Sequence, residues 1–285
     1  MSTPVEAERF YDELTSRNRG LLAPALQQRL RAARFVIVGC GSTGGACVGP
    51  LVRSGATRFV LIDPGTYELA NLNRQDATMA DVGRNKAEVQ AERIRAVNPH
   101  AEVVIVPGGL SEANVGSLLS ANDVVIDAVD VTTDEGARMK VALHHASKAV
   151  RVVAVTAYDI GSTQFVEVFD YRERIGPLRG KAPDRLTSSR LLRALVPPWV
   201  VPREIFPELV ARRRDPARPF PQLAMTATQF GALIVPIVLR ALSGQRLRRR
   251  IRVDVLDEVR PSTERLVETI RRYPALVMLL WRIRE

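Results

Sequence analysis

From Arg34 to about Val155 the chain alternates between short runs that are apolar throughout and longer runs that are apolar on one side only. "RFVIVGCG" (34–41), "RFVLID" (58–63), "AEVVIV" (101–106), "DVVIDAV" (123–129) and "RVVAVTA" (151–157) are rich in β-branched residues and carry few charges, which predicts strands buried on both faces. Between them, "STGGACVGPLVRSGA" (42–56), "NKAEVQAERIRAVNP" (85–99) and "EGARMKVALHHASKA" (135–149) read as helices. Buried strands alternating with helices predict an α/β fold, a Rossmann-like and mostly parallel sheet flanked by helices. N-terminal helices precede it and a C-terminal extension follows.

The pattern divides the chain into four stretches: 1–33 helical, 34–170 the sheet domain, 171–222 rich in Pro, Gly and Arg and read as mobile loop, and 223–285 completing the domain. In the last stretch, 223–244 reads as a long helix with a kink at Pro236, 250–259 as a late strand, and the remainder as a helix broken near Pro274. No internal repeat or low-complexity tract interrupts this order.

Composition narrows the class. The 285 residues hold two cysteines, Cys40 and Cys47, too few for a disulfide framework or a four-thiolate zinc site in one chain. With a charged start and no stretch of about 20 apolar residues, the expectation is a soluble cytoplasmic protein with no membrane segment. The net charge of +10 comes largely from Arg runs at 212–218, 246–252 and 271–273. Two readings stay open: attraction of an anionic partner such as ATP, an acidic peptide or RNA, or solvated arginine-rich faces. No aromatic residues are interleaved with the runs, which disfavours nucleic acid without excluding it.

The chemistry gathers around two stretches. Gly39, Gly41 and Gly44 form GxGxxG between a strand and a helix, and Asp63 closes the next strand. Glycines there let the backbone approach a nucleotide, the helix start offers free N–H groups, and the carboxylate suits ribose hydroxyls. Next comes "LANLNRQDATMADVGRNKAEV" (69–89), which supplies Asn71, Asn73, Arg74, Gln75 and Lys86, while "IDAVD" sets Asp127 and Asp130 at a strand end. Hydride transfer needs no such cations. Triphosphate cleavage does, with a carboxylate to hold Mg²⁺. His100, His144 and His145 are not spaced as metal ligands, and Asp127 reads as a loop cap.

In these motifs the chain resembles the ThiF/MoeB/HesA superfamily of ATP-dependent adenylyltransferases, bacterial relatives of ubiquitin-activating enzymes. "RFVIVGCGSTGG", "FVLIDPGTYELANLNRQ", "VGRNKAEVQAERIRAVNP" and "DVVIDAVD" carry the likeness over about residues 17–160. The resemblance implies ATP and Mg²⁺ as cofactors, ribose binding by Asp63, phosphate binding by Asn71, Arg74, Gln75 and Lys86, and a metal contact from Asp130. "SRNRGLL" (16–22) resembles the family segment that implies a homodimer, with Arg19 reaching the partner's site as an arginine finger. The chain departs from the pattern in two places. There is no cysteine after Cys47 to carry a thioester or zinc, and Gly65 stands where an acidic residue is common.

The expected activity is conversion of a carboxylate, on a peptide, protein or small molecule, into an acyl adenylate. Alternatives are dehydration of a tRNA-borne carboxylate, an NAD-dependent oxidoreductase and a non-catalytic nucleotide-binding scaffold.

Overall fold

The computed structural model describes residues 4–215 and 218–284. The elements in chain order begin α1 (Pro4–Leu14), α2 (Pro24–Ala32), β1 (Arg34–Val38), α3 (Ser42–Arg53), β2 (Arg58–Ile62), α4 (Lys86–Val97), β3 (Glu102–Val106), α5 (Val115–Leu118) and β4 (Asp123–Asp127). They continue with α6 (Asp134–Ala149), β5 (Val153–Ile160), β6 (Thr163–Asp170), α7 (Ser188–Leu195), α8 (Phe206–Arg214), α9 (Ala224–Leu242), β7 (Arg250–Asp254), α10 (Val255–Val259) and α11 (Ser262–Arg284).

The seven strands form one sheet in the order β3-β2-β1-β4-β5-β6-β7. The first five are parallel, and β6 and β7 add antiparallel to the edge. Alternate residues of β1 feed the two cores: Phe35 and Ile37 pack toward α3, α4 and α9, while Val36 and Val38 pack with residues of α5, α6 and α7. The chain leaves β1 in one direction and enters β4 from the other, so the crevice at their C-terminal ends is a topological switch point, where sheets of this kind bind ligands.

Several readings of the sequence need correction. Between 171 and 222 the chain forms α7, α8 and short 3-10 turns rather than loop alone. Thr187 caps α7 by accepting the Arg190 N–H, Pro207 sits in the first turn of α8, and Leu191, Leu195, Val200 and Ile205 anchor the segment in the core. β6 has no counterpart in the sequence reading, because its buried face carries Thr163, Gln164 and Glu167. The strand expected at 250–259 ends at Asp254 and turns into α10. α11 runs through Pro274 without a break. β3 is an edge strand with Val104 exposed, so it is not buried on both faces.

α9 is long and apolar enough to cross a membrane by length and composition. Here it is a core helix, with Phe230, Gly231, Ile234 and Val238 buried against α3, β5 and β6.

Candidate functional site

The glycine turn is built by close approach. Gly39 has φ +91°, and a Cβ there would lie 2.3 Å from the Ala128 carbonyl oxygen at the end of β4. A Cβ on Gly44 would fall 1.8 Å from the Gly39 oxygen. Neither position admits a side chain, so the turn between β1 and α3 lies directly on the end of β4 and the first turn of α3 opens into the crevice. Gly41 faces the Gln75 amide, about 3.5 Å from where its Cβ would be.

Asp63 knits this turn to the next one. Its carboxylate accepts the Cys40 N–H at 2.6 Å and the Gly65 N–H at 2.7 Å, so Asp63 is buried with both oxygens already holding backbone. A ribose hydroxyl would use the lone pairs that remain. Asn85 was not singled out in the sequence, yet it caps α4 by accepting from Ala87 and Glu88 and donates its amide to the Asp63 carbonyl at 2.9 Å. That bond sets Lys86 on the first turn of α4 beside Gly65, its ammonium 5.7 Å from the centre of the Tyr67 ring. Lys86 makes no ion pair among the described residues.

The 69–75 segment begins with a 3-10 turn, Leu69–Asn71, closed by Asn71 and Glu68, which exchange side-chain and backbone hydrogen bonds. Asn71 is buried in that task, and Asn73 reaches across to the Gln222 carbonyl at 3.1 Å. Arg74 holds only its own turn, donating to the Ala70 carbonyl at 3.0 Å and the Asn73 side chain at 2.9 Å. Its Nε, like Gln75 Oε1, is closed off from solvent with no partner. Buried donors and acceptors without partners are uncommon in folded proteins and call for one.

Asp159 was missed altogether. β5 runs past the end of β4, which pairs only as far as Thr156, so Asp159 overhangs the crevice. The Ser42 hydroxyl, at the first position of α3, donates to its Oδ2 at 2.6 Å. Gln164, with its amide nitrogen turned inward, donates to Oδ1 at 2.7 Å and to the Thr226 carbonyl at 2.7 Å. Burial pushes the Asp159 carboxyl above its ordinary range, against the opposing pull of Ser42 and of the Arg74 charge.

Asp127 is no mere cap. It lies buried at the end of β4 with Lys140 at 2.5 Å and His144 at 2.9 Å, and the Lys140 charge and the His144 hydrogen bond hold its carboxyl below the usual range against the effect of burial. Asp130, three residues on, is exposed and accepts the Thr132 N–H on Oδ1 alone. Among the described residues no group of three His, Cys, Asp or Glu side chains is set to hold a metal ion. Asp130 offers one exposed carboxylate, the kind of single oxygen ligand that a Mg²⁺ held mainly by phosphates and water would take.

Arg19 does not join the crevice. It follows the turn that ends at Asn18, and Asn18 donates to the Ser54 carbonyl at 3.0 Å while Tyr11 donates to the Gly55 carbonyl at 3.1 Å. These contacts sit past the far end of the twelve-residue α3, about 18 Å along the helix from Ser42. Cys40 and Cys47 are fully buried, and burial drives both thiols well up from their ordinary range.

The chain is similar to known proteins in sequence and in fold. The chain is 35% identical over 163 residues to the tRNA threonylcarbamoyladenosine dehydratase of Escherichia coli, covering 55% of this chain and 59% of that protein. It is 35% identical over 124 residues to the sulfur carrier protein adenylyltransferase of Thermus thermophilus, covering 42% and 46%. The crystal structure of E. coli MccB with ATP shares the fold, with a TM-score of 0.60 at 19% identity over 86% of this chain and 68% of that one. The chain spans about half the length of the curated relatives it matches. The ThiF family model matches residues 15–266, and the chain belongs to the ThiF family.

Proposed function

We propose that this protein uses Mg-ATP to activate a carboxylate as an acyl adenylate. The observation that carries the reading is the glycine turn that excludes side chains at the crevice, with the Gln75 amide against Gly41 and the Arg74 charge acting on Asp159. The Arg74 guanidinium would donate to phosphate oxygens and the Gln75 amide would exchange hydrogen bonds with the nucleotide.

In the first step a substrate carboxylate oxygen bonds to the α-phosphorus, and the bond to the bridging oxygen breaks as pyrophosphate leaves with the electron pair. Arg74 and Lys86 neutralise phosphate oxygens as charge shifts toward the leaving group, and the open start of α3 receives the α-phosphate. Asp63 holds the ribose end of the nucleotide. Asp130 would hold Mg²⁺, which when bound would supply positive charge to the phosphates. In the second step a nucleophile attacks the acyl carbon and AMP departs. No side chain need form a covalent bond with the acyl group, which suits a chain with both thiols buried. The carboxylate approaches under residues 171–222, and the peptide and sulfur-carrier substrates of relatives make a peptide or protein carboxylate the substrate class we favour. The working unit is a homodimer.

Calorimetry with ATP and NAD, followed by pyrophosphate exchange across a panel of carboxylates, tests this reading. Binding of ATP with Mg²⁺ and exchange with one class of acid is the expected result. Tight binding of NAD in place of ATP would return the site to oxidoreductase chemistry.

A further inference from the structure

The carboxylate assigned to magnesium sits on a loop that the following substrate segment grips from two sides. Asp127 accepts the Val129 N–H at 3.2 Å with Oδ1, which fixes the loop one residue before Asp130. Its Oδ2 gathers Lys140, His144 and the Thr156 hydroxyl. His144 is fully buried, and its Nδ1 lies 2.6 Å from the Tyr171 hydroxyl, which accepts the Leu178 N–H at 3.0 Å. With Leu178 donating to the phenol oxygen, the assignment that satisfies every atom has the Tyr171 O–H donating to Nδ1 and the imidazole Nε2–H donating to Asp127. One line of hydrogen bonds thus joins the backbone at Leu178 to the backbone at Val129.

Leu178 is not a relaxed end point. It and Arg179 adopt φ of 48° and 53°, consecutive left-handed conformations without glycine. Such backbone persists only where its surroundings enforce it. Here Leu178 is buried, and Arg179 lies over the Phe169 ring at 4.5 Å and donates to the Val168 carbonyl. The second grip comes from Ser188, which opens α7. Its hydroxyl donates to the Val131 carbonyl at 2.6 Å and its N–H to Asp134 Oδ1 at 2.7 Å. Asp130 lies between the two holds.

We infer that Tyr171, His144 and Ser188 are positioning residues that tie the seating of residues 171–195 to the placement of Asp130, so that the substrate segment sets how the site uses magnesium. This rests on the reading of Asp130 as the magnesium carboxylate. None of the three residues need touch nucleotide. They act through the loop, so disturbing them changes the response to the metal and leaves metal-free nucleotide binding alone.

The test is calorimetric titration of the full chain with ATP across a range of Mg²⁺ concentrations, for wild type, Tyr171→Phe, Ser188→Ala and Thr57→Val. Thr57 donates to the Arg31 carbonyl at 2.8 Å and lies away from the crevice, so Thr57→Val reports a lost hydrogen bond and nothing else. Tyr171→Phe and Ser188→Ala should each raise the Mg²⁺ needed for half of the affinity gain by about tenfold, the scale seen when a contact orienting a metal ligand is lost. ATP affinity without Mg²⁺ should stay within about twofold of wild type, and Thr57→Val should match wild type throughout. Should Tyr171→Phe fail to fold, Ser188→Ala carries the test, since it leaves the buried line intact. Wild type that responds to Mg²⁺ while both variants respond equally would overturn the inference alone. Wild type whose ATP affinity ignores Mg²⁺ would overturn the metal reading of Asp130 and the inference with it.

Discussion

Ser42 gives its hydroxyl to Asp159 at 2.6 Å, joining the first residue of α3 to the overhanging end of β5 across the crevice. On the proposed reading both residues border the phosphates, and a carboxylate is an unexpected neighbour for phosphate. Burial raises its pKa from an ordinary 3.8. A carboxyl whose folded pKa lies above its unfolded one stabilises the fold most below the unfolded value and loses that contribution as pH rises through the folded value. Asp159→Asn should therefore melt at a higher temperature than wild type near neutral pH. The advantage should shrink as pH falls toward 3.8 and the wild-type carboxyl takes up its proton. Melting curves across that interval check it; a gap that stays constant with pH would mean the charge is not the cause.

Arg74 is the residue whose loss should separate activity from stability. Its guanidinium bonds only to Ala70 and Asn73 of its own turn, so Arg74→Ala removes no tertiary hydrogen bond. Adenylation should fall by about 10²-fold or more, the usual effect of deleting a preorganised charge at a reacting phosphate. Pyrophosphate exchange gives the rate and circular dichroism the fold. The same substitution should raise the Asp159 pKa, because the Arg74 charge opposes the effect of burial there. A rate within a few-fold of wild type would remove Arg74 from the mechanism.

How much of this was legible beforehand follows from how local each signal is. The glycine turn, the strand-end Asp63 and the helix that begins at Lys86 are determined by neighbours in sequence, and they fold where the pattern puts them. Asp159 and the Asp127–His144 pair take their meaning from partners 117 and 17 residues away, which no periodicity reveals. β6 escaped notice because Glu167 is buried in it, its charge met by Lys181 at 2.8 Å and Arg250 at 2.9 Å. A buried charge within a strand looks like a loop until the partners are known. In the 171–222 stretch the signals were present, a capping Thr187 and a first-turn Pro207, but the proline and arginine content outweighed them.

The thiols give a third prediction. Cys47 points its sulfur at the Thr43 carbonyl inside α3, and Cys40 sits within the glycine turn; both are fully buried and their pKa values are pushed well up. Thiolate is the reactive form. Native protein should therefore be inert to a thiol reagent at neutral pH and titrate two groups once unfolded. The Cys40→Ala, Cys47→Ala double variant should keep adenylation, at a packing cost of about 1 kcal/mol per site. Loss of adenylation in a folded double variant would reinstate a thioester route.

Arg19 supplies the last prediction, because the fold places it where its own crevice is out of reach. Asn18 and Tyr11 pin the N-terminal segment to Ser54 and Gly55, past the C-terminal end of α3, whereas the proposed nucleotide site lies at the start of that helix. Helix geometry puts about 18 Å between the two ends, well beyond an arginine side chain. Arg19 is exposed and makes no ion pair among the described residues, so its own subunit gives it no task. If it acts on phosphate, it acts in a partner's site, and the protein must be a dimer when it works. Arg19→Ala and Arg74→Ala should each be nearly inactive alone. Mixed under conditions that let subunits exchange, they should recover about a quarter of wild-type activity. Half of the assembled dimers are then mixed, and each of those holds one site with both arginines. Sedimentation at the assay concentration reports the dimer, and exchange of differently tagged subunits verifies the mixing. Full activity of Arg19→Ala on its own, or no recovery after demonstrated exchange, would place the arginine outside the reaction.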